Sequence, residues 1–177
     1  MIRTRVGYCG GKHPNPTYRD MGDQTETTEV DFDPARISYD QILDIVWASH
    51  NPCGASYSRQ YMTAIFYGSD EQKRVALASL AKRQVSLGTI NTQVLPKTTF
   101  TLAEDYHQKY YLRNDRALMK ELAKFHFTEA EFANSTAVAR LNAYVGGHGT
   151  ASQLEADLSG LGLADESGRL LLARLKR

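Results

Sequence analysis

The apolar period changes along this sequence, and that change limits the possible fold more than any other feature. Ile2, Thr4, Val6 and Tyr8 alternate with Arg3, Arg5 and Gly7, and a second alternation runs from Glu26 to Phe32 through Thr28 and Val30. Period two marks a strand with one buried face. Between the two segments, Gly10-Gly11-Lys12-His13-Pro14-Asn15-Pro16 is a loop dense in residues that interrupt regular structure. Ser38-Tyr39-Asp40-Gln41 then reads as a capping box, opening a helix with Ile42, Ile45 and Val46 on its apolar face that stops before Asn51-Pro52. Met62 to Tyr67 predicts a short strand. Ser69 with Gln72 predicts a second capping box, for a long helix ending at Gly88. Thr89 to Leu95 predicts a third interior strand, and the aromatic-rich stretch Ala103 to Leu112 a short helix.

From Asn114 the period is helical throughout. Leu118-Met119-Leu122, Val138-Leu141, Leu154-Leu158 and Leu170-Leu171-Leu175 are separated by short polar or glycine-rich joints. Ser152-Gln153-Leu154-Glu155 reads as another capping box, and Gly146-Gly147-His148-Gly149 as a helix stop. The chain is thus expected to be α+β, with residues 1–113 mixing strands and helices and residues 114–177 forming a helical extension.

Charge and cysteine content narrow the function classes. Twenty-one Lys and Arg against twenty Asp and Glu leave a formal charge of +1, so no strong field for nucleic acid or an anionic membrane is expected. No apolar run approaches the roughly 20 residues that span a bilayer. The opening Met1-Ile-Arg-Thr-Arg-Val-Gly lacks the apolar region of a secretory signal. Two cysteines, Cys9 and Cys53, cannot build a disulfide framework, so a reducing, cytoplasmic setting is expected. Cys9 with His13 and His50 with Cys53 could supply a tetrahedral zinc shell. The competing reading places His50 at a helix end, where its cation suits the dipole, and makes Cys9 a small buried residue. Asn134-Ser135-Thr136 has the form of a glycosylation acceptor but reads better as a helix N-cap cluster.

An ordered set of blocks carries the functional reading. Thr4-Arg-Val-Gly-Tyr-Cys-Gly-Gly11, Asn15-Pro-Thr-Tyr18, Gly22-Asp-Gln-Thr-Glu26 and Asp31-Phe-Asp-Pro34 are followed by Ile37-Ser-Tyr39 and Trp47-Ala-Ser-His50-Asn-Pro52. Ser58-Arg-Gln-Tyr61-Met-Thr-Ala-Ile65 and Ala103-Glu-Asp-Tyr-His-Gln-Lys-Tyr-Tyr-Leu112 complete the set. Together these blocks resemble the peptide methionine sulfoxide reductase A family, in a branch with a helical C-terminal extension. The resemblance implies a two-layer mixed sheet with packed helices, the ferredoxin-like sulfoxide reductase fold. It implies reduction of the S epimer of methionine sulfoxide, free or in proteins, to methionine, as repair under oxidative stress. The implied reductant is a thioredoxin-like thiol, and no cofactor or metal is implied. In the family a Glu and two Tyr surround the sulfoxide oxygen; by motif position these are Glu26, Tyr18 and Tyr61, with Glu26 counted back from Asp33-Pro34. A carboxyl held beside phenols suits proton delivery to that oxygen. The plainer alternatives are that Tyr18 only packs the Pro-rich loop and that Glu26 is a solvated strand residue.

Two departures bear on activity. The family nucleophile stands in a Gly-Cys-Phe-Trp-Gly motif at a helix start, where a thiol becomes reactive, and residues 1–177 do not contain that motif. An aspartate common in the loop before Gln60-Tyr61 is replaced here by Ser56 and Tyr57. Reductase activity of these 177 residues alone is therefore expected to be impaired. The opening inside a strand favours a truncated sequence over one that has lost catalysis. Two other function classes stay open at this point: a module that binds oxidised methionine without turnover, and a small structural protein held by a Cys/His-bound metal.

Overall fold

The computed structural model describes residues 1–176 and divides the chain into two compact units. One is Val6–Ala103; the other combines Ile2–Arg5 with residue 104 onward.

β1 (Arg3–Cys9), of which Val6–Cys9 belongs to the first unit, lies between β2 (Thr25–Asp31) and the two-residue β5 (Thr101–Leu102). β1 and β5 are antiparallel, with Gly7 opposite Leu102 and Tyr8 opposite Thr101. A second sheet pairs β3 (Ala64–Tyr67) with β4 (Gln93–Pro96) in parallel, Ala64 facing Gln93 and Tyr67 facing Pro96. The parallel pair is joined by α2 (Asp70–Leu87), the crossover that parallel strands require. Ser69 caps α2 by accepting from the Gln72 amide, and the Gln72 side chain takes the Gly68 N–H at 2.8 Å. Among the strands and helices of this unit, β5 has no counterpart in the sequence expectations. Two residues are too few for a period, and they become a strand only because Tyr8 and Gly7 lie opposite them.

The helix α1 (Tyr39–Ala48) has the expected box, with Ser38 and Gln41 each bonded to the other's backbone. Its apolar face differs from the expected one. Leu43 and Trp47 are buried with Ile65 and Ala76, Tyr39 and Val46 flank them, and Ile45 is 61% exposed. The i, i+4, i+7, i+8 set built on Tyr39 packs, because Trp47 can then donate its indole N–H to Ser79 of α2 at 2.8 Å.

The second unit is helical after a 3-10 turn at Asp105–His107 and the single turn α3 (Tyr110–Arg113). The expected continuous helix over 103–112 is broken at Lys109, whose φ is 54°. That left-handed residue sends its ammonium inward, where Nζ donates to Thr4 O at 2.5 Å and Ala133 O at 2.7 Å. Five further helices follow: α4 (Arg116–Leu122), α5 (Glu129–Asn134), α6 (Thr136–Val145), α7 (Ala151–Leu161) and α8 (Asp165–Leu175). Thr128 with Glu131 boxes α5, a helix the sequence reading missed, and Ser135 caps α6 within the Asn134-Ser135-Thr136 cluster as expected. The box of α7 is Thr150 with Gln153, two residues earlier than the expected Ser152. These helices close around Leu112, Leu118, Leu122, Phe132, Val138, Leu141, Leu154, Leu161 and Leu171.

Lys109 makes stability depend on pH. Burial, with Arg5 and Arg113 nearby, pushes its ammonium from 10.5 down to about 8. Between pH 8 and 10 the unfolded chain keeps a proton that the folded chain has released, so stability should rise with pH, by about 2–3 kcal/mol. Tyr144, pushed up to about 12 by burial and by its bond to Asp157, opposes this only above pH 10. Urea unfolding across pH 7–10 should show the rise, and Lys109→Met should flatten it. A wild-type curve that is flat would contradict the burial argument.

Candidate active site

The site is assembled by a loop that its own backbone amides hold shut. Asp23 accepts from Lys12 N at 2.8 and 2.9 Å and from His13 N at 2.9 Å, while Gln24 Oε1 accepts from Gly11 N at 2.9 Å. These amides hold the Asp23 carboxyl below its usual range. Gly11 is required by close approach, since a Cβ there would stand 2.4 Å from Asp23 Oδ1. Arg59 ties the loop across, donating to Gly10 O at 2.7 Å and Asp23 O at 3.1 Å, and Arg59 O receives Thr25 Oγ1 at 3.0 Å. Within the loop, Thr17 and Asp20 close a small turn with two backbone bonds, and Tyr18 rides on it.

This framework brings the start of β2 against the segment before β3. Glu26 N donates to Gln60 O at 3.0 Å. Gln60 Nε2 returns the contact, lying 2.8 Å from Glu26 Oε1 and 3.0 Å from Tyr61 Oη. Tyr61 is hydrogen-bonded to Tyr18; that bond, partial desolvation and the neighbouring Glu26 and Tyr57 raise its phenol above 10. Glu26, Tyr18 and Tyr61, chosen from sequence, thus form one cluster in space. All three are exposed to solvent. Gln60 is the member the sequence reading passed over, although it stands next to Tyr61 in the Arg59-Gln60-Tyr61 block. Of the two residues in the loop where the family aspartate is expected, Ser56 accepts from Thr63 N at 3.2 Å. Tyr57 is 87% exposed with its ring 5.8 Å from that of Tyr61.

Glu26 also borders a cavity of about 590 Å³. Its walls are the length of β2, Ile42, Leu43 and Val46 of α1, and Ala64, Ile65 and Phe66 of β3. β2 and β3 are each the outer strand of their sheet on that side.

Of the two cysteines, Cys9 also lines this cavity. Cys9 ends β1, is fully buried and lies 3.6 Å from both Thr98 O and Thr98 Oγ1. Cys53 is exposed in the turn after Pro52. Neither begins a helix, one of the settings that activates a thiol. The zinc reading does not hold: among the described residues no group of three or more His, Cys, Asp or Glu could hold a metal ion. His50 instead closes α1, Nδ1 lying 2.8 Å from Val46 O and Nε2 2.8 Å from Thr92 Oγ1.

Comparison with known proteins decides the family. The family model described as peptide methionine sulfoxide reductase matches residues 1–141. The chain belongs to that family. A second model, the helical domain of selenoprotein methionine sulfoxide reductase A, matches residues 127–168. The Drosophila melanogaster peptide methionine sulfoxide reductase is 38% identical over 166 residues, covering 92% of this chain and 66% of that protein. A Methanothermobacter thermautotrophicus reductase is 40% identical over 128 residues, covering 66% of this chain and 76% of its own length. The chain spans 59% of the rice reductase A5, at 37% identity over 151 residues and 81% of this chain. The fold agrees with reduced Mxr1 of Saccharomyces cerevisiae, with a TM-score of 0.59 over 64% of this chain and 71% of that one, at 24% identity. Among the described residues no helix is long and apolar enough to cross a membrane.

Proposed function

We propose that this chain carries the proton-donating and substrate-orienting half of a peptide-methionine (S)-S-oxide reductase. The observation that supports it most is the single cluster of Glu26, Gln60, Tyr61 and Tyr18 at the start of β2. A sulfoxide oxygen is a strong acceptor with no hydrogen of its own, and a carboxyl beside two phenols offers it hydrogens. In the reaction a thiolate sulfur bonds to the sulfoxide sulfur while Glu26 delivers a proton to the oxygen. The hydroxyl then passes from the methionine sulfur to the cysteine sulfur: a cysteine S–O bond forms as the methionine S–O bond and the transient S–S bond break, methionine leaves, and the cysteine is oxidised to a sulfenic acid. Two thiols of a thioredoxin-like reductant return that acid to the thiol, releasing water and a disulfide. The attacking thiol is a residue other than Cys9, which is buried at a strand end, and Cys53, which lies in a turn. Substrates are free and protein-bound methionine sulfoxide, and the setting is the reducing cytoplasm, in keeping with two unpaired cysteines. In this reading residues 1–113 are the reductase part and 114–177 an appended helical region.

Binding can be read without turnover. A short peptide holding one methionine S-sulfoxide, titrated into the isotope-labelled chain, should move the signals of Tyr18, Tyr61 and Glu26. The R-sulfoxide peptide should bind several-fold more weakly. Equal binding of the epimers, or shifts confined to other residues, would remove the support for this reading.

A further inference from the structure

Gln60 makes more contacts with the cluster than packing requires. Its backbone oxygen receives Glu26 N, and its side-chain nitrogen stands 2.8 Å from Glu26 Oε1 and 3.0 Å from Tyr61 Oη. An amide nitrogen carries two hydrogens and accepts nothing, whereas a carboxylate only accepts. Turning the amide over would set its carbonyl oxygen against the Glu26 carboxylate, two acceptors facing each other. The nitrogen therefore faces Glu26, as the hydrogen-bond logic requires and the 2.8 Å contact shows.

The direction of these bonds has a chemical result. With Oε1 occupied by a donor, a proton arriving on Glu26 sits on Oε2. With its oxygen accepting from Gln60, Tyr61 keeps its own O–H as a donor, and its hydrogen-bonded neighbour is Tyr18. The carboxyl and the phenol pair are thus both set to present hydrogens. We propose that Gln60 is a positioning residue that fixes Glu26 and Tyr61 as hydrogen donors, so that the site selects an acceptor oxygen, as in a sulfoxide, over the bare thioether of methionine. This rests on the proposed function, which says what the oxygen belongs to. It goes beyond that reading by naming the residue that sets the polarity and the discrimination it produces.

Two variants test it. Gln60→Glu keeps the shape but replaces donors with acceptors, and Gln60→Met removes the hydrogen bonds while keeping a flexible stem of similar length. The probes are N-acetyl-methionine methylamide and its S-sulfoxide, titrated by NMR into the 177-residue chain and each variant. The wild type should prefer the sulfoxide, and Gln60→Glu should weaken sulfoxide binding by about tenfold, the worth of one good hydrogen bond, with thioether binding unchanged. A Gln60→Glu variant that keeps the wild-type preference overturns the proposal.

A second readout separates this idea from the functional reading. In protein labelled at tyrosine Cζ, with Tyr61 assigned from the Tyr61→Phe spectrum, Gln60→Met should shift Tyr61 ionisation to higher pH, because an N–H that stabilised the phenolate is gone. A structural filler would leave that titration in place, and an unmoved titration overturns the proposal. If the wild type shows no preference for the sulfoxide while the titration moves, the substrate reading fails and the positioning role of Gln60 stands.

Discussion

Joining a segment that carries the Gly-Cys-Phe-Trp block ahead of Met1 should give a polypeptide that releases methionine from its S-sulfoxide, and Glu26→Gln should then slow that release by about 10²–10⁴. Residues 1–177 alone should show little or no turnover, since Cys9 is buried at a strand end and Cys53 sits in a turn, neither of them at a helix start. The cavity explains why a joined segment can be accommodated. It runs along β2 and β3, each the outer strand of its sheet, and offers backbone groups and apolar side chains such as Ile42, Val46 and Ile65. The apolar lining of the cavity should make the 177-residue chain bind a hydrophobic dye, and the joined form should bind less.

The amide of Glu26→Gln keeps the shape of the carboxyl and cannot release a proton, so the loss reports on proton delivery more than on packing. Tyr18→Phe and Tyr61→Phe should each cost less, because one phenol can still bond the oxygen. Removing both should cost more than either alone, as expected of two groups acting on one atom. Single-turnover methionine release from mildly acid to mildly alkaline pH is the measurement. An amide variant at full speed across that range would show that Glu26 is not the acid.

The second large effect lies in the helical unit. Leu170 and Leu171 are neighbours on α8, yet Leu171 is 1% exposed and Leu170 58%. Leu171→Ala should destabilise the protein by about 2–5 kcal/mol, the transfer term plus the cavity left among Leu154, Leu141 and their neighbours. Leu170→Ala should stay within about 0.5 kcal/mol of the wild type. Urea unfolding followed by helical circular dichroism compares them directly. Equal costs would mean that α8 does not pack on the face described.

What depends on residues close along the chain is legible before folding is considered. The Ser38–Gln41 box and the Ser69 cap place helix starts because cap and acceptor amide lie three residues apart and bond within one turn, although Gln72 bonds Gly68 N and so does not close the expected second box. The alternations at 2–8 and 26–32 place β1 and β2 for the same local reason. The blocks holding Tyr18, Glu26 and Tyr61 were legible as a set, and so was the helical period of the last third. Tertiary structure decided what depends on distant partners. Which face of α1 is buried was settled by the Trp47–Ser79 bond, which left Ile45 in solvent. The break at Lys109 follows from carbonyls at Thr4 and Ala133 that its ammonium must reach. Two-residue β5 exists only opposite β1. Gln60 carries no periodic or compositional signal, and its place in the site comes from a side chain 34 positions away. Capping and alternation are written in neighbouring residues, whereas a shared hydrogen-bond donor exists only once the chain has folded.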